Sequence, residues 1–478
     1  MAPTKQSSII VVGAGVLGLS TALGLLESGY ENVTIFDQQD FEESEYSPFR
    51  GADSASADTL KVIRSAYGGA SLHHSLATEA IAAWKEWNGE AGRELFVNCG
   101  WMRMSGTGDL APVDVATLAT MAAAGQGATQ YRVGDPEDRQ RARQDGWPTT
   151  KVDPFDRLRR GFAFDGVLDT LAGYVHASKA CTFALRKAKR LGANIVLGTA
   201  GRVDAIVYAP ASAVSIGDHQ TVERAIGVRT GDGLEHLGDV VIVAAGARTH
   251  GLVPDLAQSV TASGANIIHI DVPPRLQDKF RADVFPVFSW GYTGFDEDGG
   301  LSGFPLDDDG TLKFLYRSPK WTNPIQSAAT PSARASVTSR PTAWTSNTRT
   351  NVPKNVLDAV KAFIASNIPD LVGCEILMAK LCWDSFALDL DFVIDWVPGR
   401  ENLLVVAGGS GHGKYVVKVV EDRPDQYTQL WKWRNPSPEQ MTKFEAFMLD
   451  PQHRLGQQQM ATISDLKWED SLGGGAKL

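Results

Sequence analysis

Residues 7–18, Ser7-Ser8-Ile9-Ile10-Val11-Val12-Gly13-Ala14-Gly15-Val16-Leu17-Gly18, decide the fold. The first half is a short apolar run, rich in β-branched residues and ended by glycine, as in a strand buried within a parallel sheet. A helical stretch follows to about Ser28-Gly29, and a second strand, Asn32-Val33-Thr34-Ile35-Phe36, ends in Asp37. Gly13 permits a tight turn, and Gly15 lets a pyrophosphate approach the backbone beside Ala14, Val16 and Leu17. Gly18 lets helix and strand pack closely. The helix N-terminus offers its positive dipole end to phosphates, and Asp37 is placed to accept bonds from ribose hydroxyls. A ligand-free glycine turn would not need this strand, helix and acid around it. The fingerprint does not separate FAD from NAD. Residues 9–26 carry no charge, but their four glycines and Ser-Thr pair suit this unit better than a membrane segment, and no membrane association is expected.

A chain of 478 residues is too long for one ordinary core and predicts two or three domains. With 43% hydrophobic and 21% charged residues it has a globular composition, neither disordered nor fibrous. The net charge of −10 supplies no phosphate-neutralising surface, so no nucleic-acid partner is expected. Cys99, Cys181, Cys374 and Cys382 are scattered without CxxC spacing. That pattern predicts a reduced, intracellular chain with no metal site.

The segment after the second strand separates the cofactors. Ser56-Ala57-Asp58-Thr59-Leu60-Lys61-Val62-Ile63-Arg64-Ser65-Ala66-Tyr67-Gly68 resembles the flavin-contacting motif of the monomeric sarcosine oxidase and fructosyl-amine oxidase (amadoriase) family. Further segments match that family in the same order. They are Cys99-Gly100-Trp101, residues 173–177, residues 241–247, Gly303-Phe304-Pro305 with Gly310-Thr311-Leu312-Lys313, Cys382-Trp383 through Asp395, and Gly409-Ser410-Gly411-His412-Gly413. The resemblance implies an α/β fold of D-amino-acid-oxidase type. In it a Rossmann-type FAD-binding domain (1–92, 168–258 and 376–435) interleaves with a mostly antiparallel-sheet α+β substrate domain (93–167 and 259–375), followed by a tail (436–478). Residues 165–191 read as largely helical and lead to a strand at 194–197, and the Ser/Thr/Pro/Arg-rich stretch 330–351 reads as a mobile surface excursion.

The resemblance also implies the chemistry, FAD-dependent oxidation of an amine. Lys61 corresponds to a basic residue over one flavin face, and Arg64 to an arginine that binds the substrate carboxylate. Three-residue spacing at a helix start would aim both to one side; the alternative is a solvated basic pair. Lys313 corresponds to a lysine credited with activating dioxygen, whereas a strand lysine is ordinarily exposed. Cys382 corresponds to the cysteine joined to the flavin 8α-methyl carbon. Its alternative is a small apolar core residue, and Cys374 lies only eight residues earlier. Asp58, Thr59, Val203, Ala245, Gly246, Trp383, Gly409, Gly411, His412, Gly413 and Lys414 complete the implied flavin shell.

Two departures bear on the substrate. Phe304 stands where fructosyl-amine oxidases carry a sugar-binding glutamate, and Ser302 and Arg317 stand at the tyrosine and histidine positions of the sarcosine type. These argue against a fructosyl substrate and against plain sarcosine. Gly413 then runs directly into Lys414-Tyr415-Val416-Val417, about eight residues short of the family pattern, leaving Lys414 as the lysine available to the carboxylate. Arg64, Phe304, Arg317 and Lys414 are thus the expected substrate residues. The expected reaction turns a secondary amine, an N-methyl or N-alkyl and possibly aromatic amino acid, into an imine with dioxygen reduced to hydrogen peroxide. The other readings are a tailoring oxidase whose imine closes a ring, a fructosyl-amino-acid oxidase, and a flavoprotein dehydrogenase that passes electrons to a partner. The terminal Ala476-Lys477-Leu478 resembles a peroxisomal address, which predicts an import receptor as partner, and a monomer is expected.

Overall fold

The computed structural model describes residues 3–68, 71–210, 223–291, 300–326, 337–409 and 412–468. The expected peroxisomal terminus lies outside them. The first strand, β1 (Ser8–Val12), runs into helix α1 (Val16–Glu27) and then β2 (Asn32–Asp37). The turn needs its glycines. Gly13 has φ +111°, and a Cβ on it would lie 2.4 Å from the Ala244 carbonyl oxygen. A Cβ on Gly18 would lie 1.8 Å from the Gly13 oxygen. No helix among the described residues is long and apolar enough to cross a membrane.

Among the described residues β1 and β2 are central strands of a six-stranded sheet. Its order is Val393–Trp396, Leu403–Ala407, Val240–Val243, β1, β2, Asn194–Leu197, parallel except for the first strand. Apolar side chains fill both faces, as the unbroken runs Ile9–Val12 and Leu403–Ala407 require. Each such side chain contributes about 1.5–3 kcal/mol by leaving water.

The second large sheet has eight strands. Its order is Ile376–Ala387, Val260–Asp271, Thr311–Trp321, Leu301–Gly303, Val287–Trp290, Trp101–Met104, Gly166–Asp169, Gln130–Arg132, and every pair but one is antiparallel. Side chains alternate faces along a strand, and paired residues share a face. Leu381, Ile268, Phe314, Leu301, Phe288 and Met102 therefore point one way, into the largest apolar core. Lys380, Cys382, Lys313, Ser302, Ser289, Arg103 and Trp101 point the other way.

Three local expectations are corrected. Residues 165–176 form two short strands, Gly166–Asp169 and Gly173–His176, and the helix begins only at Ala177. Lys61 lies not at a helix start but in strand β3 (Leu60–Ile63), with Arg64 just beyond it. Of the 330–351 excursion, the described part is held down: Val337–Ser339 is a strand, and Trp344 is buried with its indole N–H donating to the Pro48 carbonyl at 2.9 Å. The helix Pro438–Leu449 packs against the strand Val337–Ser339, and the segment after it reaches the helix Lys354–Asn367, where Lys361 donates to the carbonyls of Asp465 and Lys467.

Candidate active site

One cavity of about 1720 Å³ runs between the two large sheets. At one end it is lined by Gly13, Gly15, Val16, Leu17, Asp37 and Val203, and at the other by Arg64, Trp101, Ser302, Phe304 and Arg317. Ala245, Gly246, Lys61, Trp383, Gly409, His412 and Lys414 also line it. Gly411 lies outside the described residues.

The glycine turn is held for a dinucleotide. Asp37 accepts the Ala14 amide at 2.7 Å and the Gln39 amide at 2.8 Å, leaving further lone pairs for ribose hydroxyls. Ser56 Oγ accepts the Val16 amide at 2.8 Å, at the N-terminus of α1. Gly413 donates to Ser20 Oγ at 3.0 Å, so the late glycine segment is pinned to the same helix. A side-chain-free turn at a helix N-terminus, an acid at the end of β2 and a continuous cavity beside them fit FAD.

Beyond the turn lies a charged cluster. Asp58, completely buried, accepts from Lys313 Nζ at 2.6 Å and from Lys61 Nζ at 3.0 Å. Burial works against its charge, but the two ammonium groups hold its carboxyl well below the usual range. Lys313, only 2% exposed, also donates to the Leu60 carbonyl, and burial pushes it down to about 8. Its ammonium stands 4.7 Å from the centre of the Phe304 ring. Lys61 has a side chain 37% exposed, and this exposure faces the cavity. Its Nζ lies 3.8 Å from Cys382 Sγ; burial opposes its charge, yet that sulfur and Asp58 raise its pKa. His269 is pushed down to about 3 by burial, so it is neutral, and its Nε2 meets Thr59 Oγ1 at 3.0 Å.

Lys380 belongs to the same cluster and was not singled out from the sequence. It is 1% exposed, donates to the Ala57 carbonyl at 2.9 Å and shares a sheet face with Cys382 two residues on. The alternation Lys380, Cys382, Asp384 was the available signal. Cys374, by contrast, sits in the apolar core on the far side of the sheet.

Arg64 is 9% exposed, with its guanidinium 4.0 Å from the Tyr67 ring and 5.6 Å from that of Trp101. One expected substrate residue, Lys414, is placed differently. Lys414 pairs with Glu79 on the helix Ser71–Ala91, and with Tyr415, which also bonds Glu79, it ties that helix down rather than joining Arg64. Phe304 is 2% exposed, packs with Leu60, Trp101 and Tyr174, and lines the Arg64 end of the cavity. His412 is likewise structural in its contacts, edge-on to Phe392 at 5.2 Å, and burial lowers it to about 4.

A dinucleotide turn that opens on a buried cationic cluster defines a redox protein whose cofactor carries the electrons. The chain belongs to the FAD dependent oxidoreductase (DAO) family, whose model matches residues 8–414. It is similar to L-saccharopine oxidase of Schizosaccharomyces pombe, 24% identical over 89% of this chain and 93% of that one. It is also similar to N-methyl-L-tryptophan oxidase of Salmonella typhimurium, 24% identical over 85% of this chain and 90% of that one. Among solved structures, fructosyl peptide oxidase from E. terrenum superposes with a TM-score of 0.76 at 22% identity, covering 97% of this chain and all of that one. Amadoriase I from Aspergillus fumigatus gives 0.68 at 24% identity, covering 93% and 92%. These superpositions bear out the α/β flavoprotein fold.

Proposed function

We propose that this chain is an FAD-dependent oxidase that takes a secondary amine, an N-substituted amino acid, to its imine while dioxygen becomes hydrogen peroxide. The observation that carries this reading is the single cavity joining the phosphate turn to Lys61, Arg64 and the cluster behind them. FAD supplies the electron sink when bound. Arg64, backed by Tyr67 and Trp101, holds the substrate carboxylate, and Lys61 and Lys313 hold fixed positive charge where negative charge develops. The relatives named as oxidases of N-methyl-L-tryptophan and L-saccharopine support the same chemistry. The test is a panel of N-alkyl amino acids, simple amines and fructosyl amino acids assayed for peroxide with catalase as control. Turnover of the N-alkyl amino acids is expected, and efficient turnover of fructosyl-valine instead would overturn the reading.

Arg64→Ala is expected to weaken acid substrates by roughly 30-fold or more, the cost of removing one partner from a buried charge pair. The matching α-carboxamides should lose far less. Equal losses for acid and amide would make Arg64 a wall residue only.

The proximity of Cys382 Sγ to Lys61 supports a covalent link between this sulfur and the flavin. Acid-precipitated protein should stay yellow, Cys382→Ser should release the colour into the supernatant, and Cys374→Ser should not. Colour retained in Cys382→Ser would remove this sulfur from consideration.

A further inference from the structure

Arg103 is 2% exposed and lies in the strand Trp101–Met104, on the wall of the cavity. The pairing sets it beside Ser289, whose hydroxyl bonds Ser302 at 2.8 Å and accepts the Trp101 indole N–H at 3.0 Å. Its Nε donates to Asp114 Oδ1 at 2.5 Å. The other nearby acid, Asp169, stands 4.0 Å from one terminal nitrogen, too far for a hydrogen bond. Asp169 is already occupied by Ser65 Oγ, Gln130 Nε2 and the Leu171 amide. Neither terminal nitrogen of Arg103 has a hydrogen-bond partner. A guanidinium presents five N–H groups in a planar fork, and the four on the terminal nitrogens are unmet. Buried donors of this kind are rare in folded proteins and call for an acceptor from a ligand or an ordered water.

The surroundings select the acceptor. Arg64 and Arg103 both stand near the Trp101 ring, at 5.6 and 5.0 Å, and the two acids Asp114 and Asp169 both lie on the Arg103 side. Arg317 and Lys313 add positive charge on the same face of the sheet. An anion with two coplanar oxygens matches the unmet fork of Arg103 better than a neutral or cationic group. Three strand spacings, about 14 Å, separate the strand of Lys313 from that of Arg103. Because Arg64 and Arg103 flank the same Trp101 ring, the acceptor is carried on a side arm of the substrate, a second group beside the α-carboxylate held by Arg64.

We propose that Arg103 binds a second carboxylate of the substrate, so that the amine oxidised belongs to a molecule with at least two acid groups. This rests on the amino-acid reading above and narrows it. The test is a binding titration followed by the absorbance of the enzyme-held FAD under anaerobic conditions. N-methyl-L-glutamate and N-methyl-L-aminoadipate are compared with the neutral N-methyl-L-glutamine and N-methyl-L-norleucine. The wild-type protein should bind the diacids roughly tenfold or more tightly than their neutral partners. Arg103→Met should erase that ratio, and Arg103→Lys, which keeps the charge beside Asp114 but loses the fork, should reduce it. The wild-type comparison stands even if Arg103→Met does not fold. Equal binding of diacid and neutral compounds to the wild type, or a ratio that survives in Arg103→Met, overturns the proposal and leaves the amino-acid reading intact. Failure of all four compounds to bind an enzyme with a normal FAD spectrum overturns both.

Discussion

Lys313→Met is expected to slow the reaction of the substrate-reduced enzyme with dioxygen by roughly two to three orders of magnitude, with a much smaller effect on anaerobic reduction by the amine. Losing one preorganised charge beside a forming anion costs about 3–4 kcal/mol in a water-poor site, and Lys313 is 2% exposed. The pH dependence sharpens the expectation. Burial has lowered this ammonium to about 8, so the charge is present below that pH and lost as pH rises through it. The wild-type oxygen reaction should therefore fall above about pH 8, and the methionine variant should show no such limb. Stopped-flow mixing with oxygen across pH reads both. Equal slowing of the two half-reactions would make Lys313 a structural support instead.

Asp58→Asn should be strongly destabilising for so conservative a change. It keeps the shape but leaves Lys61, Lys313 and Lys380 without their shared anion. Removing one partner of a buried pair costs about 3–5 kcal/mol, roughly a 3–5 °C fall in melting temperature for a chain of 478 residues. Asp58 also supports the protonated form of Lys313. Its loss lowers the pKa of that lysine, so the basic limb of the oxygen reaction should move to lower pH. Adding Lys313→Met to Asp58→Asn should restore part of the lost stability, because it removes one of the uncompensated charges. A double variant less stable than Asp58→Asn alone would show that the cluster is not held by this charge balance. Asp58 itself, with its carboxyl held below the usual range, contributes stability that is complete above the ordinary carboxylate pKa. That contribution is lost as pH falls through its lowered value.

What was legible in the sequence follows from what each segment needs. The strands Ser8–Val12 and Leu403–Ala407 bury both faces, so they read as apolar runs with glycine punctuation, and no distant partner had to be known. The strands Gly166–Asp169 and Gly173–His176 read as helix because each is four residues long and the acids Asp165 and Asp169 interrupt the apolar pattern of the first. Those acids are buried only because distant groups meet them: Arg132 and the Gly134 amide at Asp165, Ser65 and Gln130 at Asp169. Lys380 was missed for the same reason. A buried lysine looks like a solvated one until the Ala57 carbonyl, 323 residues away along the chain, is brought to it. Lys414 shows the converse, since its place in the motif was plain but its partner Glu79 was not.

The strand order of the parallel sheet also sets a timetable for biosynthesis. The Val240–Val243 strand sits between β1 and Leu403–Ala407, so its outer edge waits for a strand about 160 residues downstream. At ordinary ribosomal speeds that wait lasts roughly 10–30 s, during which a row of valines and isoleucines has an unpaired edge. The glycine turn is made long before Gly413, whose amide is pinned to α1 at Ser20. A nascent chain therefore carries a cofactor-recognition element it cannot use until the distant Gly413 segment has emerged. Recombinant yield should consequently depend on chaperone supply and slow translation, while FAD in the medium helps only chains that are already complete.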